Sequence, residues 1–171
     1  IGFGTDHDEW IIPVSATSWD GNTPPGVVAQ IVMMVRDKLE SGNHHLVAHN
    51  GKFDCIWLLV HYGVQLKLSF DTMLAHHLLN ENALHGLDDL VTEYFGDPTW
   101  DIPLAVKNGK AGTFKIHANY LAKDLRYTFR LAKALVRELY QDKGLRTLFE
   151  NVTMPLSNLL VKAEFRGVYI D

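Results

Sequence analysis

The sequence predicts an α/β protein in which short strands alternate with helices before the chain becomes mostly helical. Residues 1–14 have the pattern of a β-hairpin, with two short apolar runs separated by a polar tip. The apolar run at 45–49 predicts a short buried strand that leads directly into a helix. From about Asn119 to Tyr140, apolar residues recur at helical spacing and predict a long helix with one packed face. The 171 residues, 47% of them hydrophobic, suit one domain with a core.

The other elements follow from spacing and from residues that start or stop helices. Helical spacing from Val27 to Leu39 predicts a helix with Thr23 as its cap. Residues 66–70 predict another strand, and Asp71 is placed to cap the helix that follows it.

Two further helical segments complete the chain. A short helix is predicted over residues 87–94, with Asp88 and Asp89 in a solvated first turn. The last segment, 145–167, has helical spacing that is interrupted near Pro155 and ended by a glycine.

Composition and charge exclude several kinds of protein. Cys55 is the single cysteine, so no disulfide forms within the chain, and a reducing intracellular setting is expected. No apolar run approaches the ~18 residues of a membrane helix and no signal pattern opens the chain, which predicts a soluble cytoplasmic protein with no membrane partner. The pairs His44–His45 and His76–His77 form no ready zinc chelate, because adjacent side chains point apart.

The net charge of −4 argues against tight, non-specific wrapping of duplex nucleic acid. Basic residues nevertheless gather in one part of the sequence: Lys107, Lys110, Lys115, Lys123, Arg126 and Arg130. Such a group is either a solvated face or a local contact with phosphates.

Two short spacings carry the candidate chemistry. Asn50 and Asp54 lie just after the predicted strand, and Asn50 taken alone is explained as a helix cap. Asp54 falls near the start of a helix whose other early residues are apolar, so its charge requires a partner beyond the helix dipole. Tyr120 and Asp124 lie four residues apart on the long helix and therefore project together.

The structural explanation of the second pair is a rim aromatic and a surface acid. If the long helix packs beside the Asn50 turn, Asp54 and Asp124 share hard divalent cations, which prefer oxygen ligands. Tyr120 then points its hydroxyl at a phosphate or an attacking water. The resulting hypothesis is a site for two-metal hydrolysis of phosphodiesters.

The motifs resemble those of a known family. Residues 46–54 resemble the second motif of the proofreading 3′-5′ exonuclease domain of DNA polymerase I-like (family A) polymerases, and residues 120–131 resemble its third motif, of the tyrosine-bearing subtype. Residues 70–80 and 87–90 resemble the helices between these motifs, and residues 149–171 the lead-in to the polymerase domain.

This resemblance implies a ribonuclease H-like fold, with a mixed central sheet flanked by helices and here without its first strand. It implies an exonuclease domain at 1–145 and a helical lead-in to a polymerase domain at 146–171. The implied partners are a single-stranded or frayed 3′ end of DNA and the polymerase domain of the same parent chain. A bacterial nucleoid or a phage-infected cell is the implied location.

The resemblance also implies residue roles. Asp54 and Asp124 would bind two divalent ions, Mg²⁺ or Mn²⁺, and Tyr120 would orient the attacking water. Asn50 would help to place the substrate strand.

Further substrate contacts are implied between the two motifs. Trp100 matches an aromatic that stacks on the frayed 3′ end, although an ordinary, partly buried tryptophan is the alternative. Lys107 and Lys110 would belong to a loop near the substrate backbone.

The family's first motif, an Asp-x-Glu on the first strand, has no counterpart in this sequence. Asp6, Asp8 and Glu9 fall in the hairpin tip, after the place where that motif belongs. We therefore expect a fragment that starts at the second strand, or a relative that has lost the motif. Either chain should by itself bind catalytic metals weakly and show little or no hydrolysis. The open strand position also predicts poor stability of the isolated chain.

Three functions remain open at this point. The first is the proofreading exonuclease of a family A DNA polymerase. The second is a nuclease-dead domain that braces a polymerase or holds single-stranded DNA, and the third is a free-standing RNA-trimming exonuclease. The polymerase-like residues 149–171 argue against the third function.

Overall fold

The computed structural model describes residues 1–5, 7–12, 25–97 and 114–169. In these ranges the strands are β1 (Gly2–Gly4), β2 (Glu9–Ile11), β3 (Val47–Ala48) and β4 (Phe70–Asp71). The helices are α1 (Pro25–Glu40), α2 (Gly51–Tyr62), α3 (Thr72–Leu79), α4 (Leu87–Phe95), α5 (Phe114–Leu139), α6 (Lys143–Leu148) and α7 (Met154–Arg166), with a π-helical segment (Phe149–Thr153) between the last two. The chain divides into two compact units, which are Ile1–Gln30 with Leu84–Leu131, and Ile31–Ala83 with Ala132–Asp171.

The first unit contains the hairpin of β1 and β2. The two strands are antiparallel, and Gly2 lies opposite Ile11. The rings of Phe3 and Trp10 stack with their centroids 5.5 Å apart. A Cβ atom at Gly2 would lie 2.8 Å from the Leu121 side chain, so the hairpin packs closely on the first half of α5.

The second unit contains β3 and β4, which pair in parallel. Val47 lies opposite Phe70, and Ala48 lies opposite Asp71. Parallel neighbours need a crossover connection, which α2 supplies here. This helix ends at Gly63, whose φ of 67° is in the left-handed region that glycine adopts most readily.

The C-terminal helices also belong to the second unit. Phe149 opens the π-helical segment with only 1% of its surface exposed, and its ring centroid lies 4.8 Å from that of Phe70. Asn158 of α7 binds both backbone groups of Leu68: its amide donates to the carbonyl oxygen and its oxygen accepts from the N–H, each at 2.9 Å. These contacts hold the C-terminal segment against the chain that leads into β4.

The predicted α/β character is confirmed, because the described residues form helices and small sheets. Hydrogen bonding in this part of the chain gives two sheets of two strands, one antiparallel and one parallel, where the family resemblance implies one mixed sheet. The strands predicted at 45–49 and 66–70 are shorter than expected. One reason is that Leu68 uses both of its backbone groups on the Asn158 side chain and not on a neighbouring strand.

Several predicted helix ends are confirmed. Asp71 caps α3 as predicted, since its side chain accepts from two backbone N–H groups of the first turn. Asp88 and Asp89 lie in the first turn of α4, and α7 ends at Gly167 with a φ of 70°. The predicted cap of α1, Thr23, lies outside the described residues.

Two helices differ in extent from their predictions. α5 includes Phe114 and so starts earlier than the predicted Asn119, because no glycine or proline breaks the helix between them. The interruption predicted near Pro155 is the π-helical segment that ends two residues before it. Tyr120 and Asp124, the pair predicted for the site, lie well inside α5.

The start of α2 leaves no room for a side chain at Gly51. A Cβ atom there would lie 2.4 Å from the Ala48 Cβ and 2.6 Å from a Leu68 methyl carbon. We expect Gly51→Ala to lower the free energy of unfolding by about 1–3 kcal/mol, as overpacking of a closed contact does. Urea unfolding measures this change. Gly26→Ala is the matched control, because open space surrounds a Cβ at Gly26 in α1; an equal loss in both variants would contradict the prediction.

Candidate active site

The connection from β3 to α2 is a tight turn at Asn50. This residue has φ 52° and ψ 39°, a left-handed conformation that is uncommon outside glycine, and it is exposed. It occupies the N-cap position, but its side chain makes no capping hydrogen bond. The sequence-based explanation of Asn50 as an ordinary cap is therefore wrong in its mechanism, because another residue satisfies the N–H groups of this turn.

That residue is Asp71, at the end of the neighbouring parallel strand. Its Oδ1 accepts from the N–H of Asn50 at 3.1 Å, and its Oδ2 accepts from the N–H of Gly51 at 2.8 Å. Oδ1 also accepts from Met73 and Leu74 at the start of α3, at 2.9 and 3.3 Å. The side chain is buried, so one carboxylate serves the first turns of two helices in a place that water does not reach.

A second contact joins the same two strand ends. The hydroxyl of buried Thr72 donates to the Ala48 carbonyl oxygen at 3.3 Å, and the same hydroxyl oxygen lies 2.8 Å from Nδ1 of His49. Sequence reasoning missed the role of Thr72 and His49 and gave Asp71 a local role only. The sequence did contain a signal for these contacts, since the segments at Asn50 and at Asp71 each follow a predicted strand. The carboxyl ends of neighbouring parallel strands lie side by side, so residues just after them can meet.

Asp54 lies one turn into α2, in the same unit as Asp71. Burial of its carboxylate, together with the smaller effect of the nearby Asp71 charge, raises the pKa of Asp54 from 3.8 to about 6. Burial, and to a smaller extent the charges of Asp54 and Asp71, raises the pKa of the Cys55 thiol to about 12. The thiol therefore stays protonated. Asp54 is therefore a carboxylate held near a second negative charge, a situation that a bound cation would relieve.

We expect Asp54→Asn to stabilise the fold above about pH 6. Because folding raises the pKa of Asp54, the folded state binds the proton more tightly than the unfolded state does. Ionisation therefore removes stability as the pH rises from 3.8 through about 6, and below this interval the variant and the parent differ little. Because the Asp54 residue as a whole is exposed, solvent screens its carboxylate, and the expected gain in the free energy of unfolding is only about 1 kcal/mol.

Urea unfolding across this pH range tests the prediction. Glu81→Gln, at an exposed position of the same unit, controls for the loss of one negative charge. A gain for Asp54→Asn that does not change with pH would contradict the assignment.

Tyr120 and Asp124 lie on one face of α5, in the first unit. Both are half-buried, and Oδ1 of Asp124 is shielded from solvent. Asp124 is therefore a partly buried acid at the edge of the packed face of α5. Asp54 and Asp124 belong to different units, and their sharing of metal ions stays a prediction.

Two residues of the basic group make side-chain contacts within the first unit. Arg126 makes a two-pronged contact with Glu9, at 2.8 and 3.2 Å, and Arg130 lies over the Phe95 ring at 4.3 Å. Tyr127, between them in sequence, donates its hydroxyl to the Asp97 carboxylate. These contacts favour the structural explanation for Arg126 and Arg130.

The remaining predicted substrate residues lie outside the described ranges: Trp100, Lys107 and Lys110. Across the described ranges, no three His, Cys, Asp or Glu side chains lie close enough together to hold a metal ion. The carboxylates that are present have the oxygen chemistry that a hard divalent cation prefers. No helix in the described residues is both long and apolar enough to cross a membrane.

Comparison with known proteins agrees with these motifs. A family model described as 3′-5′ exonuclease matches residues 4–140. The DNA polymerase of Escherichia phage T5 is 30% identical in an alignment of 155 residues that covers 78% of this chain. DNA polymerase I of Treponema pallidum is 30% identical in an alignment of 153 residues that covers 85% of this chain. That of Chloroflexus aurantiacus is 33% identical in an alignment of 133 residues that covers 72% of this chain.

This chain therefore belongs to the class of 3′-5′ exonuclease domains. Within it, the chain belongs to the exonuclease family of DNA polymerase I-like, family A DNA polymerases, which confirms the resemblance. The matched region spans only 18%, 15% and 14% of these three relatives.

Proposed function

We propose that this chain is the proofreading exonuclease domain of a longer family A DNA polymerase and removes mispaired nucleotides from a DNA 3′ end. The observation that carries the proposal is the turn at Asn50, which Asp71 holds so that Asp54 lies one turn into α2. We assign residues 1–145 to a ribonuclease H-like exonuclease domain and 146–171 to the lead-in to the polymerase domain. The bacterial nucleoid or a phage-infected cell is the proposed location.

The mechanism assigns one task to each side chain. Asp54 and Asp124 would hold Mg²⁺ or Mn²⁺, together with an Asp-x-Glu pair from a strand upstream. When bound, these ions supply positive charge for the attack of water on phosphorus and for the departing 3′ oxygen. The Tyr120 hydroxyl orients the water, and exposed Asn50 contacts the substrate strand. Trp100 stacks on the terminal base, and Lys107 and Lys110 contact the backbone.

The test is hydrolysis of a single-stranded oligonucleotide that carries a label at its 5′ end, with manganese present. This chain is compared with the longer polymerase chain that includes the strand upstream. We expect stepwise shortening from the 3′ end by the longer chain, and little or none by the 171-residue chain. Shortening of RNA in preference to DNA would indicate an RNA-trimming enzyme and overturn the proposal.

One observation favours a second candidate. Because the described residues contain no group of three metal-ligating side chains, a nuclease-dead domain that braces the polymerase or holds single-stranded DNA fits this chain by itself. Binding of the oligonucleotide without hydrolysis by both chains would establish that function and exclude proofreading.

A further inference from the structure

The beginning of α2 has an unusual construction. Helices leave their first N–H groups without partners inside the helix, and a side chain at the N-cap usually satisfies one of them. Here the N-cap residue, Asn50, is left-handed and its side chain does not cap. The N–H groups of Asn50 and Gly51 are satisfied by Asp71, 21 and 20 residues away in the sequence.

The sheet register brings Asp71 to this turn. Asp71 lies opposite Ala48 in the parallel pair, so its side chain emerges where the chain leaves β3 and enters the turn. The carboxylate is 1% exposed, and hydrogen bonds from N–H groups to a buried, charged oxygen are stronger than those between neutral groups. The closed space around Gly51 leaves the first turn of α2 little freedom to move away.

The two carboxylate oxygens of Asp71 accept hydrogen bonds from different backbone N–H groups. Oδ1 accepts from Asn50, Met73 and Leu74, while Oδ2 accepts from Gly51 alone. Capping of α3 needs Oδ1 only. The contact of Oδ2 has no part in capping α3, and its effect is to fix the first residue of α2.

We propose that Asp71 is a positioning residue of the exonuclease: it holds the turn that presents Asn50 to the substrate strand and Asp54 to the catalytic ions. This inference rests on the proposed function. Asp71 acts through the backbone of Asn50 and Gly51 and is not itself required to touch substrate or metal. Its loss should lower the rate of the chemical step even where α3 stays capped.

Asp71→Ser separates the two roles, because serine caps a helix well but is too short to reach the turn at Asn50. The matched control is Asp142→Ser, since Asp142 caps α6 through Gly144 and Leu145 in the same unit and caps no second helix among the described residues. In the longer polymerase chain, we expect Asp71→Ser to lower kcat about 100-fold and to raise the manganese concentration needed for half-maximal rate. KM for the oligonucleotide should change much less, and Asp142→Ser should keep both constants within about twofold of the parent.

Two results would overturn the inference. One is unchanged kcat in Asp71→Ser, and the other is an equal loss in both serine variants, which would indicate a general effect of losing a cap. If Asp71→Ser does not fold, Asp71→Asn takes its place, because it keeps the shape and one acceptor oxygen but turns an N–H₂ group toward the N–H of Gly51. For that variant we expect a loss of about tenfold, and full activity would count against the inference.

A structural readout separates failure of this inference from failure of the proposed function. In the parent chain, the amide proton of Gly51 should exchange with solvent slowly. In Asp71→Ser it should exchange about 30-fold faster, with shifted amide resonances for residues 50–54, and in Asp142→Ser it should not change. If the parent shows no nuclease activity, the proposed function fails while these amide signals still decide the role of Asp71. Fast exchange of the Gly51 amide proton in the parent would directly refute the proposal that Asp71 holds this turn.

Discussion

Under the proposed function, we expect Asp54→Ala to lower the exonuclease kcat of the longer polymerase chain by about 1000-fold or more, which corresponds to about 4 kcal/mol of transition-state stabilisation. The reason is that Asp54 is held beside another negative charge at the start of α2, and its raised pKa reflects burial and the charge of Asp71. A bound divalent cation would compensate both effects, and without this proposed ligand the cation would be held weakly or in the wrong place. Binding of single-stranded DNA in the absence of metal should change little.

The assay is single-turnover hydrolysis of an oligonucleotide labelled at its 5′ end. Asp124→Ala should cause a loss of similar size, and the double variant should be no worse than either single variant, because both residues are proposed to serve one site. Asp142→Ala removes the same charge from an exposed position of the same unit and should leave the rate unchanged. Full activity of Asp54→Ala would exclude Asp54 as a metal ligand.

Replacing Phe149 by alanine should destabilise the fold by about 3–5 kcal/mol, as truncation of a fully buried phenylalanine does. Its ring is 1% exposed and packs on Phe70, the residue that precedes Asp71. A cavity there would loosen the strand whose end holds the Asn50 turn. Urea unfolding followed by circular dichroism measures the change.

Val152→Ala is the matched control in the same π-helical segment, because Val152 is 51% exposed and its truncation should change stability by less than about 0.5 kcal/mol. An equally small effect of Phe149→Ala would mean that the C-terminal segment folds independently of β4. We expect the large effect, with a parallel loss of exonuclease activity at temperatures where the variant is partly unfolded.

The sequence by itself determined the features that depend on neighbouring residues. The α/β order, the cap of α3 by Asp71 and the end of α7 at Gly167 are local, since each follows from spacing, capping or glycine geometry within a few residues. The motifs around Asp54 and Tyr120 were enough to identify the family.

Only the tertiary structure decided the contacts that cross long stretches of sequence. Asp71 reaches back to Gly51, Asn158 replaces a strand neighbour for Leu68, and Lys52 of α2 pairs with Glu164 of α7. No periodicity in the sequence predicts these pairs, because packing and strand register bring them together. The raised pKa of Asp54 has the same origin, since it depends on burial and on a carboxylate 17 residues away. The sequence therefore supplied the candidate residues of the site, and the fold decided which other residues hold the Asn50 turn in place.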